Sequence, residues 1–140
     1  MKELSKKEMN LLESEKIYFE YALQVSKTLL LVSGGSGTAL LAFLGHMVSL
    51  DKMKEASLFW LPVFLFFLSS FFVCLQFAFE YLTQTAVVQR IYYDDIDTQK
   101  KCDKYAVIFK NIASACLLSS FISLIVGGAI ALHSFKSLVA

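Results

Sequence analysis

The chain has 140 residues, enough for one domain, and its 13 basic and 12 acidic residues leave a net charge of +1. Hydrophobic residues make up 56% of it, charged residues only 18%, and mean hydropathy is +0.59. That balance excludes an ordinary water-soluble domain if the apolar residues are clustered, and near-neutrality gives no basic footprint for a nucleic-acid partner.

In chain order, residues 1–27 are predicted to form a cytoplasmic amphipathic helix that feeds directly into the first span. Ser5 and Glu8 match a capping box, and no Gly or Pro precedes Gly34. Leu4, Leu11, Tyr18 and Val25 recur every seven residues, with Leu12 and Phe19 beside them, so the rod carries one apolar seam. Five Lys balance five Glu in this stretch, which favours packing of the seam over a strongly basic face lying on a membrane surface. The stretch lacks the apolar core and small-residue cleavage site of a signal peptide, so the first span is expected to serve as an uncleaved anchor.

Three apolar runs follow, 28–50, 56–79 and 106–133, holding 23, 24 and 28 residues. A hydrocarbon core of ~30 Å needs about 20 helical residues, so each run is long enough to span. A membrane strand would alternate apolar and polar residues, whereas LPVFLFFLSSFFVCLQFAF in the second run is apolar on every face. The expectation is an all-α integral membrane three-helix bundle forming a single domain. After Pro62 there is no Gly or Pro until Gly127, so the second helix is expected to extend into the cytoplasm to about Tyr93. Residues 80–105 make that extension and the turn, where the polar DDIDTQKK stretch reverses the chain.

Orientation follows from the basic residues. Lys2, Lys6, Lys7, Lys16, Lys27, Arg90, Lys100, Lys101, Lys104 and Lys110 fall on one side, and only Lys52, Lys54 and Lys136 on the other. The positive-inside rule then puts the N-terminus in the cytoplasm and the C-terminus outside.

Small residues supply the most informative pattern. Ala115, Ser119, Ser123, Gly127 and Ala131 recur every four residues in the third span, and Gly34, Gly35 and Gly37 lie close together in the first. Between membrane helices, lipid tails cancel any hydrophobic drive, so close backbone approach along small residues promotes association. Three spans with small-residue faces offer more such surface than one chain needs, and a homo-oligomer packed through these residues is the expectation.

Gln76 and Glu80 lie one turn apart near the cytoplasmic end of the second span, and Lys110 and Asn111 fall at a similar depth in the third. Intramembrane ionisable groups are functional candidates, here a pore mouth or gate, against the blander reading of a structural pair of Glu80 with Lys110. His46 and His133 near the outer face read as ordinary interfacial residues. Asp94, Asp95 and Asp97 lack the glycine and distal glutamate of a calcium loop and read as a solvated turn. Cys74, Cys102 and Cys116 have no metal-ligand or disulfide spacing. No nucleophile elbow, phosphate-binding loop or dinucleotide fingerprint is present, so no catalytic residue, metal or cofactor is expected, and the chain does not read as an enzyme.

The segment LLLVSGGSGTALLAFLGH at 29–46, followed by a second span ending EYLTQ at 80–84, resembles a group of small bacterial three-span membrane proteins with a GGxxxALLAFLG-like first span. The resemblance covers roughly the first two spans, with Ser33 where the group carries Asn and Gly37 as an extra small residue. It implies a bacterial inner-membrane location and three spans, and it supplies no activity. Two functions fit the pattern. One is an oligomeric membrane pore or membrane-perturbing effector, as in antiphage defence. The other is a non-conducting membrane anchor or accessory subunit that recruits a cytoplasmic protein partner. The bilayer is the surrounding partner in both.

Overall fold

The computed structural model describes residues 6–93 and 95–139, with side chains throughout except at 6–8, 10–12, 15 and 139. Where no water can bond the backbone, an apolar run must satisfy its own amides, and helix does so within one segment. The described chain is accordingly all-α. The expected capping box at Ser5 and Glu8, Leu4, the side chains of Leu11 and Leu12, and Asp94 lie outside the described residues.

Helix α1, Lys6–Ser49, runs 44 residues without a break, so the amphipathic stretch and the first span form one rod. It ends in a Schellman-type cap. Lys52 N–H donates to Met47 O at 3.1 Å and Asp51 N–H to Val48 O at 3.0 Å, and Asp51 takes a left-handed φ of 62°. A short α2, Met53–Ala56, and a 3-10 turn, Ser57–Phe59, lead into α3, Trp60–Tyr92. Pro62 falls in the first turn of α3, where its missing N–H costs least.

α3 continues past Glu80 to Tyr92, as the absence of Gly and Pro predicts. The turn after it is tighter than expected, because α4 already starts inside the polar stretch and spans Ile96–Val139. The reason is local. The Asp95 carboxylate accepts the Thr98 hydroxyl at 2.7 Å and the Thr98 backbone N–H at 3.0 Å, which caps the first turn of α4. Those hydrogen bonds, the hydroxyl first, hold the Asp95 carboxyl below its ordinary range. Nearby, Arg90 reaches Asp103 at 3.0 Å between two half-exposed side chains, a contact of small energetic weight.

The three long helices do not contribute equally. α3 packs along its length against α4 and, on another face, against α1, while α1 and α4 meet directly at few places. Buried residues step along each helix by threes and fours: Ser26, Leu29, Ser33, Gly37, Leu40, Leu44 and Met47 on α1; Pro62, Phe66, Ser69, Val73, Gln76, Glu80 and Thr83 on α3. On α4, Ala113, Ser120, Gly127 and Ser134 recur at intervals of seven. An average step of about 3.5 residues is the repeat of left-handed helix packing, in membranes as in coiled coils.

The core divides into two halves. At the end near the α1 to α2 turn it is apolar: Leu40, Leu44, Met47, Ala56, Phe59, Val63, Phe66 and Ala131 form one cluster. Phe43, Phe59 and Phe135 close it with ring centroids 4.8 to 5.2 Å apart. Toward the other end, Ser26, Ser33, Ser69, Ser120, Gln76, Glu80 and Thr83 are buried among Leu29, Val73, Ala86 and Ala113. The phenylalanines of α3 divide likewise, with Phe66 inside and Phe64, Phe67 and Phe71 facing outward. Three helical stretches, Lys16–Ser49, Met53–Tyr92 and Ile96–Leu138, are long and apolar enough to cross a membrane.

Candidate functional site

The polar half of the core is built on two adjacent residues of α3. Neighbours on a helix point about 100° apart. Ser69 therefore reaches α4 while Ser70 reaches α1. The Ser69 hydroxyl lies 2.9 Å from that of Ser120 and 3.0 Å from the Ser120 carbonyl. Ser70 and Ser33 share a hydrogen bond of 2.8 Å between their hydroxyls, and the Ser33 Oγ lies 2.7 Å from Leu29 O. About two turns further along α3, Gln76 is fully buried and its Oε1 accepts the Ser26 hydroxyl at 2.8 Å. Among the described residues, no buried side-chain nitrogen or oxygen lacks a partner.

The four residues expected at a pore mouth are not brought to one opening. Gln76 is engaged with α1, and Glu80 is buried beside it on the same face of α3. Contact of the Phe79 and Phe109 rings, with centroids 6.2 Å apart, sets α3 against α4 so that Glu80 and Lys110 fall at the same level. Neither of those two is free of interactions. The Lys110 ammonium sits 4.5 Å above the centre of the Tyr18 ring, a cation–π contact that joins α4 to α1. Asn111 is exposed.

The residues expected to pack between copies divide too. Gly37, Ser123, Gly127 and Ala131 are buried within the chain. A Cβ at Gly127 would lie 3.1 Å from Leu65 Cβ and 3.6 Å from Pro62 O, and one at Gly37 would lie 3.4 Å from Phe66 Cβ. These glycines let α4 and α1 close onto α3. Gly34 and Ser119 are half-buried, while Gly35 and Ala115 are exposed. Residues spaced by four therefore do not make one stripe. Each such step turns about 40° around the helix, so five residues sweep about 160°. Ala131 consequently faces the core and Ala115 the surroundings.

The buried seam follows instead a repeat of seven that the spacing of four obscured. Ser26 and Ser33 on α1, Ser69, Gln76 and Thr83 on α3, and Ala113, Ser120, Gly127 and Ser134 on α4 all follow it. Small and polar residues seven apart in each of three spans are a signal readable without coordinates. His46 and His133 are both exposed, and no group of three or more metal-ligating side chains occurs among the described residues.

The fold and the seam together define an all-α chain with three helices long and apolar enough to cross a membrane, packed around α3. Comparison with protein-family models, curated proteins and solved structures finds no match.

Proposed function

We propose that the protein is a non-conducting, multi-pass anchor or accessory subunit of the bacterial inner membrane that presents its helical ends to a cytoplasmic protein partner. In this reading the N-terminus and the α3 to α4 turn lie in the cytoplasm, where ten of the 13 basic residues fall, and the C-terminus lies outside. The observation that supports it is the closure of the polar seam. The hydroxyls of Ser26, Ser33, Ser69, Ser70 and Ser120 and the Gln76 side-chain oxygen are engaged with one another or with backbone carbonyls of the three helices. Outward-facing Thr38 and Ser114 turn their hydroxyls back to Gly34 O and Lys110 O of their own helix. What remains on the outside along the spans is mainly large and apolar, including Leu31, Phe64, Phe71, Leu118, Ile125 and Leu132. A water or ion file needs a continuous hydrophilic face through the bilayer, and the exposed polar side chains among the described residues are scattered rather than aligned into one. The tip of the α3 to α4 hairpin, by contrast, holds Tyr92 and Ile96 exposed, about 18 Å beyond Glu80 at 1.5 Å per residue. That is a surface suited to a protein partner.

A second reading, a homo-oligomeric pore or membrane-perturbing effector in antiphage defence, draws on one observation. α1 exposes Gly35, Thr38, Ala42 and Gly45 on the side away from α3, with nothing near Gly35 or Gly45. Ion flux through liposomes containing the purified protein separates the two. The anchor reading expects flux equal to empty liposomes; flux that disappears in Gly35→Leu would overturn it in favour of the oligomeric pore.

A further inference from the structure

The three stretches able to cross a membrane hold 34, 40 and 43 residues. About 20 suffice to cross a hydrocarbon core of ~30 Å, so length alone does not fix where the bilayer lies. The exposed aromatic rings fix it. Ser26 meets Gln76 between antiparallel helices, so Tyr21 and Tyr81, each five residues nearer the end that carries the α3 to α4 turn, stand level, and both are exposed. Exposed Tyr105 on α4 lies one turn beyond Phe109, which packs on Phe79, and so falls within about one turn of that level. At the other end Trp60 is exposed. Phe59 packs on Phe43 and Leu58 O accepts the Ser134 hydroxyl at 3.3 Å, which brings exposed His46 and His133 within about one turn of Trp60. Trp60 and Tyr81 are 21 residues apart on α3, about 32 Å at 1.5 Å per residue.

We propose that the bilayer contacts the protein along the band between these two levels, with one headgroup layer at Trp60, His46 and His133 and the other at Tyr21, Tyr81 and Tyr105. Tyr and Trp collect at such boundaries because one part of the ring system is apolar and the other takes a hydrogen bond. Charge agrees. Over residues 21–46, 60–81 and 105–133, Lys27, Glu80 and Lys110 are the only Asp, Glu, Lys or Arg residues, and Glu80 is buried. Helical side chains slant toward the helix N-terminus, which on α1 and α4 is the tyrosine end. Lys110 follows Phe109, yet its ammonium lies over the ring of Tyr18, three residues beyond Tyr21 on α1. The same slant carries the Lys27 ammonium toward that boundary from six residues inside it. Beyond the tyrosines the chain stands in water. α3 runs on 11 residues to exposed Tyr92, about 16 Å, and Arg90, Asp97, Lys100, Lys101 and Lys104 are all exposed there. This placement rests on the membrane-spanning part of the reading above and is independent of whether the chain conducts.

The test uses the full chain in phosphatidylcholine vesicles whose lipids carry bromine, a fluorescence quencher, either close to the headgroup or near the chain end. Trp60 is the only tryptophan, so the wild type reports a single level. In a Trp60→Phe background, Tyr81→Trp, Phe71→Trp and Tyr92→Trp, all at exposed positions of α3, report three others. Trp60 and Tyr81→Trp are expected to lose more emission to the shallow bromine, Phe71→Trp more to the deep one, and Tyr92→Trp none to either. Stronger quenching of Tyr81→Trp by the deep bromine, or quenching of Tyr92→Trp equal to that of Tyr81→Trp, would move the boundary toward the tip and overturn the placement. Phe71→Trp unquenched by either lipid would overturn it together with the membrane-spanning reading.

Discussion

Ser69 and Ser120 face each other across the seam between α3 and α4, both fully buried, with their hydroxyl oxygens 2.9 Å apart. Ser69 also lies 3.0 Å from the Ser120 carbonyl, so the contact survives a rotation of either hydroxyl. Hydrogen bonds between membrane helices contribute about 0.6 kcal/mol on average. Ser69→Ala is therefore expected to lower stability by roughly that amount, read as the midpoint of unfolding in a sodium dodecyl sulfate titration. Ser69→Leu should cost more, about 1–3 kcal/mol, because a larger side chain pushes two close backbones apart.

Ser26 and Gln76 make a sharper test, since they join the helices that share less contact. Ser26→Ala leaves the Gln76 oxygen buried without its donor, and an unsatisfied buried acceptor costs about 1–3 kcal/mol. The double variant Ser26→Ala, Gln76→Leu removes both partners and should recover most of the loss. The same titration checks it, and a double variant no better than the sum of the singles would show that the bond is not what holds these residues.

Adjacent glycines in α4 should behave oppositely. Gly127→Leu places atoms against Leu65 and Pro62, whereas Gly128 has nothing within 4 Å of its Cβ position. The expected result is a loss of about 1–3 kcal/mol for Gly127→Leu and no measurable loss for Gly128→Leu.

Asp95 gives a pH dependence outside the spans. Its carboxyl is held below the ordinary value by the Thr98 hydroxyl and backbone N–H. The stabilisation is thus fully present above the ordinary aspartate value of about 3.9 and is lost as pH falls through the lower folded value. The protection of the Thr98 amide against hydrogen exchange, taken relative to its intrinsic rate at each pH, should fall as pH drops below about 4 in the wild type, and in Asp95→Ala it should already be low at neutral pH and unchanged through that window.

Much of this architecture was legible in the residues. Apolar runs of sufficient length dictate three helices, and the lack of Gly and Pro after Pro62 correctly carries α3 to Tyr92. The start of α4 was missed because Asp95 looks like part of a charged turn until its carboxylate is seen to accept Thr98, which converts the turn into a cap. The seam was half legible. Ser69, Ser70, Gln76 and Glu80 stand out as polar residues in an apolar run, but which helix each faces depends on the pairing of spans. That pairing is tertiary information. Spacing by four in the third span was misleading for a geometric reason, since a helix of 3.6 residues per turn carries such a row away from any straight neighbour. Lys110 resting on Tyr18 joins residues 92 positions apart and leaves no local signal.

If the seam of Ser26, Ser33, Ser69, Ser70, Ser120 and Gln76 is shut inside the chain, none of its side chains lines a passage for water. Cysteine accessibility reads whether water reaches these positions. In a background with Cys74, Cys102 and Cys116 replaced by Ala, single cysteines at Ser33, Ser70 and Ser120 would be exposed to a membrane-impermeant thiol reagent from each side of sealed vesicles. Cysteines at Asp51 and Tyr92 serve as controls, expected to react from opposite sides. No labelling is expected at the three seam positions from either side. Labelling of Ser70→Cys or Ser120→Cys at rates near those of the controls would reveal a water-filled path along α3 and contradict it.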